Sequence, residues 1–156
     1  MPEKASPPDK ARPFPWRCVE CGERAVFPRE SDYTATVKHD GRAYEVRISN
    51  LALPTCRKCG EQVFTSAEDE RIRVALREQL GLLTPQDIRA KRDAHELSQQ
   101  ELADQLGVAK ETISRWETGA LMQSRAMDNL LRLYFESDEV RWLLRQRFAA
   151  PRHVPA

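Results

Sequence analysis

The sequence predicts two small domains joined by a helix: a β-rich N-terminal domain over residues 16–65 built around four cysteines, and an all-α C-terminal domain of five helices over residues 84–150. Three observations predict it. Two matching C-x-x-C-G turns, Cys18 to Gly22 and Cys56 to Gly60, frame a segment in which apolar residues alternate. A capped helical period fills residues 66–83, and the stretch Leu97 to Gly119 spells two short helices separated by a glycine. A chain of 156 residues suits one ordinary domain or two small ones with thin cores, and this composition favours two.

The formal net charge is +1, and from Thr84 to Ala156 there are 11 Lys and Arg against 11 Asp and Glu. Bulk charge therefore predicts no nucleic-acid binding, and any such argument rests on the placement of a few side chains. No apolar run approaches membrane-spanning length, and the N-terminus lacks the basic-then-apolar order of a secretion signal. The expected location is the cytoplasm, where four cysteines are metal ligands more often than disulfides.

Residues 1–15 hold Pro2, Pro7, Pro8, Pro13 and Pro15 among small and charged residues and read as a disordered leader. Trp16 opens the first folded unit. In each C-x-x-C-G turn the two-residue gap lets one loop present both sulfurs to a tetrahedral ion, and the glycine lets the backbone curl so that amides face the thiolates. Cys18, Cys21, Cys56 and Cys59 together complete a closed thiolate shell, which predicts one structural zinc per chain in a ribbon-type domain, with no position open for catalysis. The alternative, two disulfides or a redox-active C-x-x-C, lacks the α/β pattern of a thioredoxin-like protein. The 34 residues from Gly22 to Thr55 exceed the usual ribbon spacing and hold an inserted hairpin: Tyr33, Ala35 and Val37 alternate before Asp40-Gly41, and Tyr44, Val46 and Ile48 after it. Leu51, Leu53 and Pro54 lead to the second knuckle, and His39 reads as a solvated residue near the hairpin tip.

Ser66 with Asp69 has capping-box spacing, so a connecting helix begins there, with Ile72, Ala75, Leu76, Gln79 and Leu83 in helical period and Gly81 at its end. Thr84-Pro85 starts the next helix, which carries Ile88 and Arg89 and ends near His95, a partner for its C-terminal dipole.

The following segment reads Leu-Ser-Gln-Gln-Glu-Leu-Ala-Asp-Gln-Leu-Gly-Val-Ala-Lys-Glu-Thr-Ile-Ser-Arg-Trp-Glu-Thr-Gly. Ser98 and Glu101 form a capping box for a helix from Gln99 that buries Leu102, Ala103 and Leu106; Gly107 stops it and Val108 plugs the corner. The second helix starts near Lys110 and buries Ile113 and Trp116, leaving Glu111, Thr112, Ser114 and Arg115 outward. A short polar helix held by a packed partner is the geometry that enters a major groove. Two helices of an ordinary bundle would need the apolar period but not the Gln start, the Gly-first turn or an exposed Ser-Arg ahead of a buried aromatic. The pattern Ser-Gln-x-Glu-Leu-Ala-x-x-Leu-Gly-Val followed by Thr-Ile-Ser-Arg-Trp-Glu-x-Gly resembles the helix-turn-helix of the lambdoid phage repressors and their bacterial relatives. Candidate DNA contacts are Gln99, at phosphate, and Lys110, Glu111, Thr112, Ser114 and Arg115. Glu111 either faces its helix dipole and water, or orients the Arg115 guanidinium or reads a base itself.

A fourth helix near Ser124 to Glu136 offers Met127, Leu130, Leu131, Leu133 and Tyr134 to the core. Ser137-Asp138-Glu139 caps a last one, with Val140, Leu143, Leu144 and Phe148 on one stripe and Trp142 almost opposite. Trp142 is either a dimer contact or a core-edge residue. Arg141, Arg145, Arg147 and Arg152 form either a solvated face or a set of phosphate contacts.

Paired knuckles, a connecting helix and a repressor-type helix-turn-helix, from Cys18 to about Phe148, resemble the MqsA family of antitoxins from bacterial toxin-antitoxin systems. The resemblance implies that the zinc domain binds a protein toxin, that a homodimer formed through the C-terminal helices represses an operator with inverted repeats, and that Arg115 contacts a base. Glu111 stands where that family often has Asn. Two other functions fit the same architecture: a stand-alone regulator without a toxin, and a zinc-dependent interaction or redox module. Nothing in the sequence suggests an enzyme, since it has no nucleophile-base pair, open metal site or phosphate-cradling loop.

Overall fold

The structure, a computed structural model of the chain, describes residues 12–149. Most of the expected leader, up to residue 11, lies outside that range, as do the tail 151–156 and Arg152. The described elements are β1 (Trp16–Arg17), β2 (Arg24–His39), β3 (Arg42–Cys56), α1 (Ser66–Leu80), α2 (Pro85–Ala94), α3 (Gln99–Leu106), α4 (Lys110–Thr118), α5 (Arg125–Glu136) and α6 (Asp138–Ala149). They fall into two compact units, one of residues up to Val37 with Tyr44–Leu76, the other of Lys38–Ala43 with Arg77 onward.

In the first unit the strands lie in the order β1-β2-β3, with Trp16 opposite Val26 and Arg17 opposite Arg24 in the antiparallel β1–β2 pair. Both turn residues of the hairpin have positive φ, 54° at Asp40 and 72° at Gly41, as a two-residue type I′ turn requires. The strands run much further than the alternating residues alone indicated. The reason is a change of phase: Val46 and Ile48 are buried at even positions, Leu51 and Leu53 at odd ones. Asn50, at φ 52°, absorbs the extra residue and donates its N–H to Asp32 Oδ1 at 3.2 Å, so the strand continues while its inward face resets. His39 belongs to β2 and not to the turn. It is half-buried rather than solvated, and its Nε2 is shielded with no hydrogen-bond partner among the described residues.

The cap of α1 sits one residue earlier than the Ser66–Asp69 spacing suggested. Glu68 accepts from the Thr65 N–H at 2.7 Å and from the Thr65 hydroxyl, and the Asp69 N–H donates to the Thr65 carbonyl at 3.2 Å. Thr caps a helix as Ser does, and Glu68 at the third helical position completes the box by reaching back to the Thr65 N–H. Before β1, Arg12–Pro15 are also engaged: the Trp16 indole donates to the Arg12 carbonyl at 2.9 Å and stacks on Phe14 at 4.4 Å.

In the second unit α2 to α6 enclose a core of Leu83, Ile88, Leu102, Ala103, Leu106, Ile113, Trp116, Leu131, Tyr134 and Phe135. Leu83, read from the sequence as part of the connecting helix, lies past Gly81 and belongs to this core. Gln79, on the same expected stripe, is exposed. A buried carboxylate pins the entry to the unit. Asp128 Oδ1 accepts from the Leu83 N–H at 2.8 Å and from Gln123 Nε2 at 3.1 Å, while Oδ2 accepts from Arg132 Nε at 2.8 Å. Gln123 also donates to the Leu83 carbonyl at 2.8 Å. At the other end of α5, Arg141 Nη1 donates to the Tyr134 and Phe135 carbonyls, and His95 Nε2 lies 3.1 Å from the Phe135 carbonyl. His95 thus meets the C-terminus of α5 as well as closing α2, and Arg141 caps the same end of α5.

Burial raises the Asp128 carboxyl, but the Arg132, Leu83 and Gln123 hydrogen bonds outweigh it and hold the pKa below its ordinary value. A depressed carboxyl stabilises the fold fully above its unfolded pKa, near 4, and that contribution is lost as pH falls through the folded value. Asp128→Ala should cost about 2 to 3 kcal/mol at neutral pH, read as a lower urea midpoint, and the deficit should shrink as pH falls through the depressed titration of the folded carboxyl.

Candidate metal centre and nucleic-acid interface

The two knuckles are built alike. In the first, the Cys18 N–H donates to the Glu23 carbonyl at 2.8 Å and the Gly22 N–H to the Cys18 carbonyl at 3.0 Å; in the second, Cys56 and Gly60 make the same bonds to Glu61 and Cys56 at 2.8 and 2.9 Å. Gly22 and Gly60 take φ of 74° and 80°, which an L side chain rarely adopts. Each loop closes a short antiparallel contact, Arg17 opposite Arg24 and Thr55 opposite Gln62. The Arg57 N–H donates to the Ala25 carbonyl at 2.9 Å and its guanidinium lies 3.8 Å from the Phe27 ring centroid, which ties the second knuckle to the strand leaving the first.

As a result all four sulfurs converge within 4.8 Å of one another. Cys18 Sγ is 3.5 Å from Cys59 Sγ, and Cys21 Sγ is 3.7 Å from Cys56 Sγ. Four ligands about 2.3 Å from a central ion have tetrahedral edges of about 3.8 Å, so the cluster has the size of a thiolate shell, whereas a disulfide needs about 2.05 Å. The electrostatics point the same way. The Cys59 and Lys58 amides facing Cys56 pull its thiol down to about 7. The Glu61 amide does the same for Cys59, but desolvation and the neighbouring sulfurs outweigh it and push that thiol up to about 12. One thiolate forms readily and further ones repel it, and a bound dication removes that repulsion. The four residues fit a single tetrahedral metal ion.

In the second unit the Ser98–Glu101 capping box is formed in both directions, and Gly107 at φ 76° ends α3. The Gly107 and Val108 N–H groups return to the Ala103 carbonyl at 2.9 and 3.0 Å. Gly119, at φ 79°, ends α4. Ile113 and Trp116 are buried, which turns Lys110, Glu111 and Arg115 outward, with Thr112 and Ser114 half-buried beside them. Glu111 and Arg115 are not joined by an ion pair. Gln99 is half-buried and its Nε2 donates to Glu117 Oε2 at 2.8 Å.

The family model described as the antitoxin component of bacterial toxin-antitoxin systems, MqsA, matches residues 16–141, which includes both knuckles and the whole helix-turn-helix. The chain belongs to the MqsA antitoxin family. No curated protein matches it. Among solved structures it is similar to a protein of Nitrosomonas europaea described as a "Putative DNA Binding Protein", at 15% identity and a TM-score of 0.39, covering 85% of this chain and 98% of that one. Among the described residues, no helix is long and apolar enough to cross a membrane.

Within this MqsA-family chain the residue that sequence reasoning missed is Glu117. Its carboxylate accepts from Arg92 Nε at 2.5 Å and Nη2 at 3.1 Å as well as from Gln99, and Arg92 Nη1 donates to the Leu97 carbonyl at 2.7 Å. Burial raises the Glu117 carboxyl, yet the Arg92 and Gln99 hydrogen bonds hold it below its ordinary value. The last helix also differs from expectation. Leu144 of its stripe packs on the core, while Leu143 and Phe148 are 48% and 39% exposed and Trp142 is 59% exposed. Leu133 of α5, expected inside, is 54% exposed. Arg145 lies 3.4 Å from Gln105 Oε1, and Arg147 is exposed.

Purified under reducing conditions, the protein should carry one tetrahedral metal ion per chain. Cys56→Ser should remove it and abolish β-sheet circular dichroism from the first unit. A full complement of four free thiols with no metal, in a chain that keeps its sheet, would contradict the geometry.

Proposed function

We propose that this antitoxin-family protein is a sequence-specific DNA-binding repressor, with α4 as the helix that enters the major groove. The observation that carries the reading is the division of α4: Ile113 and Trp116 face the core, and Lys110, Glu111, Thr112, Ser114 and Arg115 form its open side. Gln99, at the start of α3, contacts phosphate at the groove edge, and Arg115 makes the main base contact, bidentate to guanine O6 and N7. Because Glu111 stands apart from Arg115, it acts as a solvated carboxylate and does not hold the guanidinium.

The protein acts as a homodimer on an inverted repeat. The exposed Leu133, Trp142, Leu143 and Phe148 of α5 and α6 supply the apolar surface that such a dimer buries. The four cysteines hold a structural zinc, as an all-thiolate tetrahedral shell favours, and the unit they close binds a protein toxin, which family membership supports. The protein works in the cytoplasm, and its role is binding rather than catalysis.

Selection from randomised DNA duplexes should return an inverted repeat with half-sites about 10 base pairs apart, bound by a dimer in sedimentation. No enrichment over random sequence would overturn the reading. On the selected site, Arg115→Ala should cost about 1 to 3 kcal/mol and relax preference at one base pair, whereas Glu111→Gln should tighten binding to all sequences alike. Affinity purification with the first unit as bait should retain a toxin, and a Cys56→Ser bait should not.

A further inference from the structure

We infer that Glu117 is a positioning residue of the DNA interface, which sets the orientation of the Gln99 carboxamide from behind without touching DNA. The inference rests on the DNA-binding reading above. Its starting point is a chemical asymmetry. A carboxylate only accepts hydrogen bonds, whereas a carboxamide has a donor end and an acceptor end that exchange on a half-turn. The Glu117 side chain is 4% exposed and is fixed by two hydrogen bonds from Arg92, whose side chain is 11% exposed and is itself anchored on the Leu97 carbonyl. Facing that carboxylate, Gln99 can present only Nε2, which it does at 2.8 Å. The oxygen Oε1 and the second Nε2–H are thereby left on the side away from Glu117.

The contact does more than add to a buried ion pair. Arg92 on α2 and Glu117 on α4 already satisfy each other, so the third hydrogen bond is not needed to neutralise either charge. What it fixes is which end of Gln99 faces out. It also sets the first residue of α3 against the end of α4, two residues beyond Arg115. Without it the carboxamide would sample both half-turns, and the orientation suited to DNA would have to be selected at the moment of binding.

The test is a double-mutant cycle with the full chain on the duplex recovered by selection. Glu117→Gln keeps the size of the side chain and one acceptor for Arg92, but turns a donor toward Gln99 and so reverses its carboxamide. We expect about tenfold weaker binding from Glu117→Gln with Gln99 present, and less than about a twofold change in a Gln99→Ala background. An equal loss in both backgrounds means that Glu117 acts on the fold alone, and no loss in either removes it from the interface; each outcome overturns the inference. Glu117→Asp, which can keep Arg92 while withdrawing from Gln99, serves if the first variant unfolds. In the unmutated protein one Gln99 side-chain amide proton should be shifted downfield by its hydrogen bond to the carboxylate and should exchange with water about tenfold more slowly than the exposed Gln146 side-chain amide, and equal exchange would also overturn the assignment. If selection recovers no duplex, the DNA-binding reading fails, and the amide signature still decides whether Glu117 orients Gln99.

Discussion

Four sulfur atoms brought to one point govern the first unit, because its other means of cohesion are few. The cluster around the knuckles contains Cys18, Val26 and Cys56 as buried residues, with Trp16, Ala25 and Val63 packed against them. Among the described residues of the hairpin, Ala35, Val46, Ile48, Leu51 and Leu53 are buried, as is Leu76 of α1. Burying a side chain of that size contributes about 1.5 to 3 kcal/mol, against an ordering cost of about 1 to 2 kcal/mol for every residue of two long strands. Structural zinc sites contribute on the order of 10 kcal/mol or more, enough to decide whether such a unit folds. A metal ion on these sulfurs would also act where closure is hardest, joining loops at opposite ends of the hairpin sequence.

The second unit relies on a connected apolar core, and its polar groups do a different task. Asp128 fixes where the chain enters, Arg141 and His95 satisfy the end of α5, and Arg92 with Glu117 locks α2 against α4. Each of these joins elements that the apolar core alone would let slide. For a helix that must present a few side chains in a groove, rigidity of that kind counts as much as the identity of the side chains. A displacement of about 1 Å would misplace a bidentate contact.

The features legible in the sequence are those written within a few residues. The C-x-x-C-G turns, the Asp-Gly hairpin turn, the Ser98–Glu101 cap and the glycine after α3 are local geometry, and residue type states them directly. What was not legible depends on distant partners. Arg92 and Glu117 are 25 residues apart, and Leu83 meets Asp128 across 45, with no spacing to announce either pair. The burial phase of β3 resets at Asn50, so simple alternation underestimates the strand. In α6 periodicity gathered Val140, Leu143, Leu144 and Phe148 on one face, but spacing along a helix does not state which of its residues a neighbour covers. Half of that face stays open.

A metal ion on the four sulfurs would hold the first unit together while the second stands on its own core. Hydrogen exchange of the full chain, with and without a thiol-competing chelator, tests this most directly. Metal removal should abolish amide protection across β1 to β3 and leave protection of α2 to α5 within about twofold of its original value. Sheet amides that stay protected after the metal has gone, or helical amides that lose protection together with them, would contradict it.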